Sequence, residues 1–446
     1  MIKKFKEVTN MSRSQILYKR AKAIIPGVTQ LLSKRPDMFL PGLWPTYYQK
    51  AKGCKVWDID GKEYIDVSLM GVGTAILGYS YPYVDKAVKS AVDNANMTTL
   101  NCVEEIKLAE KLCEIHPWAQ MVRFARTGGE SAVIAIRIAR AYTGKDVVMF
   151  CGYHGWHDWY LSANLSHDKA LDGHLLPGLE PKGVPRSLKG TAVPFKYNNV
   201  KDFISKFKKI KDKVAAVIME PVRNYYPEEG FLETIREYTK RNDVPLIMDE
   251  ITAGWRLCLG GAHMHFGIKP DIAIFAKAVS NGYPMAAIIG RKKIMNSVQD
   301  TFISSTYWSE RIGPTAALAT IDVLEQKNVV SFLTKTGKAI KKGLLELSQK
   351  HNLDIKVYGI SPLLHFSFEY RRAMEIKTLF TQKMLEKGFL ATTLFYVSFA
   401  HKPQIIKQYL NAVDDVFKSI SRLDLKKSLS KYLKTSCCRS GFKRLN

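Results

Sequence analysis

Lys277 is the first residue in this chain whose type and setting suggest chemistry. It closes the apolar run 272–276, and a turn cluster separates it from a second apolar run at 285–289. An amine at the mouth of a buried strand is partly desolvated, so its pKa falls and more of it stands neutral and nucleophilic. Such a lysine can form an imine with a carbonyl compound, although most lysines that end a strand are surface residues. Its companions shift that balance. Asp249 and Glu250 end the buried run 245–249. Paired acids at a strand's carboxyl end fall where open α/β sheets bind ligands, whereas an isolated Asp-Glu is commonly a solvated turn or a cap. Arg126-Thr127-Gly128-Gly129-Glu130-Ser131 joins the run 121–125 to a helical pattern through Ile134, Ile138 and Tyr142. Two glycines at such a turn let backbone N–H groups approach an anion, which the helix N-terminus also favours. Gly152-Tyr153-His154-Gly155-Trp156-His157 follows the run 147–151; an aromatic ring and two imidazoles there read equally as core packing or as a metal site.

These residues need a scaffold that brings strand ends together. Strand-length runs at 121–125, 147–151, 214–220, 245–249, 272–276 and 285–289 alternate with helical patterns, which predicts an α/β fold with a mostly parallel sheet covered by helices on both faces. Nearer the N-terminus, Val56, Ile59, Tyr64 and Ile65 surround an Asp60-Gly61 turn and predict a hairpin. Between 161 and 194 periodicity vanishes, and a structureless stretch of that length predicts a functional flap. The C-terminal part reads as strands at 355–357, 363–368 and 397–400 with helices at 374–386 and 402–420. The basic end from residue 426 predicts a frayed tail.

Taken together and in this order, the four stretches resemble the class III aminotransferases, enzymes of fold type I that use pyridoxal phosphate (PLP). The resemblance runs from about residue 26 to about 423, and Asn281-Gly282-Tyr283-Pro284 with the segment 304–313 is most similar to the glutamate-1-semialdehyde 2,1-aminomutase-like branch. It implies a large PLP-binding domain at 71–325 with a sheet of the seven-stranded type. A smaller α+β domain is then built from 1–70 and 326–423, with 424–446 as a flexible basic tail. It further implies that Lys277 binds the cofactor covalently and shuttles the proton, that Asp249 pairs with the pyridine nitrogen, that Tyr153 stacks on the ring, and that Glu220 lies near the cofactor face. Gly128 and Gly129 would hold the phosphate, joined by Thr306 from the other subunit of a homodimer. The chain departs from the family at Gly129, where a Ser or Thr hydroxyl usually touches phosphate. The lost hydroxyl predicts weaker retention of pyridoxamine phosphate (PMP), which Gly129→Ser would restore unless Ser131 already substitutes.

What the resemblance implies as function is amino transfer between a small amino donor and a keto or aldehyde acceptor. An intramolecular aminomutase reaction uses the same residues; details of 304–313 and a glycine missing near Val28 favour transamination. Composition is compatible. The 446 residues, 46% apolar and 24% charged, suit a globular chain with more than one core. Lysine and arginine outnumber acids 67 to 41, a net charge of +26, which is the sole support for a nucleic-acid or membrane-surface binder. No zinc-finger spacing or aromatic RNA-binding signature accompanies it, so anionic small molecules are the expected partners, with neither nucleic acid nor membrane. Seven scattered cysteines without metal-ligand spacing fit reduced thiols. The first ten residues lack the apolar core of a signal peptide. A cytoplasmic enzyme is expected.

Overall fold

The computed structural model describes residues 12–174 and 177–440; the readings of the first ten residues and of the last six lie outside the described residues. The chain divides into two compact units. One comprises the chain up to Val72, Ile76–Tyr81 and everything from Leu333 onward; the other comprises Gly73–Ala75 and Pro82–Phe332.

In the first unit, β1 (Tyr48–Lys52), β2 (Lys55–Asp58) and β3 (Glu63–Asp66) form an antiparallel meander, to which β13 (Phe389–Leu390) adds in parallel. The Asp60-Gly61 turn closes because Asp58 Oδ1 accepts the N–H groups of Asp60 and Lys62 while Gly61 takes a φ of 88°. A second sheet runs β11 (Ile355–Tyr358), β12 (Leu363–Phe368), β14 (Leu394–Tyr396). Phe366 and Phe368 of β12 meet Phe380 and Phe417 edge-on, which fastens helices Ala373–Glu386 and Pro403–Ser421 to that sheet.

The basic tail is not frayed as far as Ser440. Its backbone N–H groups at Leu429, Lys434 and Cys438 donate to Glu375, Gln382 and Thr378, and Leu429 and Cys438 are buried. Positions 375, 378 and 382 share one face of the helix Ala373–Glu386, so a polar stripe receives the tail. A reading by tail composition misses this, because the partners lie some fifty residues away.

The second unit is built on a seven-stranded sheet in the order β4-β10-β9-β8-β7-β5-β6. Its strands are β4 (Met121–Ala125), β5 (Val147–Cys151), β6 (Ala192–Pro194), β7 (Val214–Met219), β8 (Leu246–Asp249), β9 (Ile272–Phe275) and β10 (Ala286–Gly290). β5 through β9 pair in parallel, and β10 runs antiparallel to both β9 and β4. β4 therefore points the same way as the parallel strands. The central strands are buried along their whole length, as continuous Val/Ile/Ala runs covered on both faces must be. Helix Gly128–Thr143 packs Ala132, Ala135, Ile136 and Ala139 into the core beside the sheet. A capping box of Thr127 and Glu130 starts it, and Gly144 at φ 66° ends it.

The stretch expected to be a structureless flap carries one-turn helices at Ala163–Ser166 and Arg186–Leu188 and closes the sheet edge with β6. Leu171 is fully buried there, and its N–H donates to Asn164 Oδ1. Elements of three or four residues are too short to show a period, which is why the sequence reads as featureless.

Candidate active site

Sheet direction gathers the chemistry. The carboxyl ends of β4, β5, β7, β8 and β9 leave the sheet on one side, and each is followed by one of the residues singled out from sequence. Beyond β9 the chain turns through Ala276 into Lys277, whose φ of 50° lies in the left-handed region. A lysine held there implies that surrounding contacts outweigh local preference. Its Nζ donates to Thr252 Oγ1 at 2.9 Å. The residue keeps partial exposure, but its amine is desolvated: burial pulls the pKa from 10.5 down to about 8, with the Arg223 guanidinium adding to the shift and Glu220 and Asp249 opposing it.

The two acids after β8 part company. Asp249 Oδ2 lies 2.7 Å from His154 Nδ1, and Asp249 Oδ1 accepts the N–H of Ile251 at 3.0 Å. His154 Nε2 faces the carbonyl of Cys151 at 3.2 Å. Glu250 turns the other way and accepts from Ala262 N, His263 N and His263 Nδ1. It organises the turn before helix Ala262–His265 and stands apart from the chemistry.

Tyr153 follows β5, and its N–H donates to Glu220 Oε2 at 3.1 Å. Glu220, just past β7, also receives Arg223 Nη1 on both carboxylate oxygens, at 3.1 and 3.2 Å. Gly152 permits this closeness: at φ 116°, a Cβ there would stand 2.6 Å from Glu220 Oε2. Beside Gly152, Glu220 and Arg223 opens a cavity of about 1310 Å³, also lined by Lys169, Lys206 and Tyr226.

Gly128 and Gly129 open their helix as expected, and a side chain on either would force a neighbour to move. A Cβ on Gly128 would meet Ile251 Cδ1 at 2.8 Å, and one on Gly129 would meet His157 Cε1 at 2.7 Å. Ser131 is not a spare phosphate donor, since its hydroxyl is buried and donates to Gly128 O at 2.7 Å. Thr306 is exposed and begins the turn Thr306–Ser309.

Residues 42–418 match the family Aminotransferase class-III, and the chain belongs to that family. It is 29% identical over 431 residues to the 3-aminobutyryl-CoA aminotransferase of Cloacimonas acidaminovorans (strain Evry), covering 94% of this chain and 99% of that protein. It is 32% identical over 431 residues to the glutamate-1-semialdehyde 2,1-aminomutase of Methanothrix thermoacetophila, covering 91% and 96%. Among solved structures, an omega-transaminase from Sphaerobacter thermophilus shares the fold at a TM-score of 0.82 and 23% identity, over 92% of this chain and 98% of that one. The protein is accordingly an enzyme of PLP-dependent amino transfer, with the fold type I architecture.

The residues present fit that cofactor. A desolvated lysine, a buried carboxylate braced by an imidazole, and a helix start whose glycines a Cβ would block are the donor set it needs. The sequence reading did not assign His154, His157, Thr252 or Arg223. The two histidines stood in the motif around Tyr153 without a role, and Arg223, three residues past Glu220, is a signal that was available. Thr252 could be connected to Lys277 only by the pairing of β8 with β9.

Proposed function

We propose that the protein is an intermolecular transaminase that passes an amino group from an anionic small-molecule donor to a keto or aldehyde acceptor, working as a cytoplasmic homodimer. When bound, PLP supplies an electron sink for the carbanion at the substrate's α-carbon. Lys277 would bond the cofactor, and its Nζ, when free, would take and return a proton at the substrate's α-carbon. Asp249 would receive the cofactor's ring nitrogen, and His154 holds that carboxylate in place. The Tyr153 ring would pack on the cofactor's ring. Glu220 anchors Tyr153 and Arg223, while Gly128 and Gly129 offer N–H groups to the phosphate, completed by Thr306 of the partner subunit.

The observation that carries the reading is the desolvated Lys277, with a pKa near 8, in the electrostatic reach of Asp249 and Glu220. Support for an anionic substrate comes from Arg223 beside Lys277 and from the lysines around the adjoining cavity. The cytoplasmic setting is supported by free thiols among all seven cysteines, and no described helix is long and apolar enough to cross a membrane. The aminomutase reaction is the second reading, favoured by the similarity to glutamate-1-semialdehyde aminomutases.

Borohydride treatment of the PLP-loaded protein is expected to fix the cofactor to the peptide bearing Lys277; labelling of another lysine would remove this reading. Mixing with an amino donor and no acceptor separates the two reactions. A transaminase releases one equivalent of keto product per site and stops, whereas an aminomutase returns an isomer that keeps its nitrogen. Light scattering tests the dimer, and a fully active monomer would exclude a shared site.

A further inference from the structure

Where the helix Gly128–Thr143 begins, two hydroxyls flank the glycines. Thr127 Oγ1 caps the helix by accepting from Glu130 N, and Ser131 Oγ donates to Gly128 O. The space over Gly129 is filled instead by an imidazole: a Cβ there would stand 2.7 Å from His157 Cε1 and 3.1 Å from its Nδ1. The loop is laid tightly on the helix start, with a Cβ on Gly155 3.2 Å from Gly129 Cα and Trp156 stacked on His157 at 4.4 Å between ring centroids. The His157 ring is half-buried, yet its Nδ1 is out of reach of solvent and has no hydrogen-bond partner. Buried polar nitrogens without partners are uncommon because the lost hydration is uncompensated. This one lies against a helix N-terminus whose first N–H groups also lack intrahelical acceptors.

We propose that His157 is a phosphate-binding residue, its imidazole donating to the phosphate of the cofactor from the place where Gly129 has no side chain. The inference rests on the PLP-dependent function proposed above. It accounts for Gly129 in two ways: the ring occupies the volume that a side chain there would take, and the ring supplies the donor that the glycine lacks. Glu130 and Asp158 face the imidazole and favour its charged form, while burial opposes it and prevails. Phosphate adds further negative charge on the favourable side. The sign expected for Gly129→Ser is therefore reversed, because its new side chain collides with the ring before it can reach an anion.

The test measures binding of PMP and of pyridoxamine, which lacks the phosphate, to the full-length apoprotein and its variants. His157→Ala is expected to weaken PMP binding roughly tenfold to a hundredfold, the loss of one hydrogen bond to a charged group, while leaving pyridoxamine binding within about twofold of the parent. Gly129→Ser alone should also weaken PMP. The double variant Gly129→Ser/His157→Ala, which frees the volume and returns a hydroxyl, should recover most of the parent affinity. Unchanged PMP affinity in His157→Ala overturns the proposal. So does an equal loss of both ligands, which would mark His157 as a loop-packing residue, and so does a double variant no better than either single one. A parent protein that binds neither ligand would instead overturn the function reading itself.

Discussion

The pKa of Lys277 makes the rate of cofactor capture a measurable consequence of the fold. Burial first, and the Arg223 guanidinium second, place it at about 8 instead of 10.5. At pH 7 an amine with a pKa of 8 is about one-tenth neutral, so Lys277 presents roughly 300-fold more nucleophile than an ordinary lysine would. The sign follows directly: the neutral amine attacks, so capture should accelerate about tenfold per pH unit below 8 and level off above it. Stopped-flow mixing of apoprotein with PLP between pH 6.5 and 9.5, followed in the visible band, reads the break. Arg223→Gln removes the cation that disfavours charged Lys277 and frees Glu220 to favour it, and both changes push the break to higher pH. A rate still climbing tenfold per unit at pH 9.5 would show that Lys277 is not desolvated, and an Arg223→Gln break at or below the parent's would show that the guanidinium does not act on it.

Asp249→Asn preserves shape but removes the charge and leaves one acceptor oxygen where the carboxylate serves both His154 and Ile251 N. The protein should fold while amino transfer falls roughly a hundredfold to a thousandfold, as for loss of one preorganised electrostatic contact; transfer within tenfold of the parent would refute that role. Asp249→Ala instead leaves a buried ring nitrogen of His154 without its partner and should cost about 1–3 kcal/mol of stability, read by denaturant unfolding. Truncation after Leu425 exposes the helix face that Leu429 and Cys438 cover, so a loss of about 2–4 kcal/mol and a lower Tm are expected, against the dispensability that tail composition suggests. Gly337→Ala should destabilise although alanine is the better helix former, because its Cβ would lie 1.8 Å from Ser361 O; a raised Tm would contradict the packing described.

Much of the fold was legible because its signals are local. Buried central strands must be continuous apolar runs, so β5, β7, β8 and β9 stand out without any tertiary knowledge. The helix start at Gly128 was equally plain, since a capping box and two glycines are short-range chemistry. β6 was invisible because three residues carry no period, and the reversal of β10 depends on pairing partners that a run of Ala and Ile does not name. Lys277, Asp249, Tyr153, Glu220 and Gly128 were named through the family resemblance, and in the fold each ends a strand, follows one or opens a helix. Composition and spacing leave Asp249 and Glu250 equivalent, and tertiary structure shows how these adjacent acids diverge: one meets His154 and the other the turn before Ala262. It alone could show that Gly129 faces His157 across a gap too small for a side chain, since a distance between residues 129 and 157 is set by packing of two strand ends and by nothing in either segment.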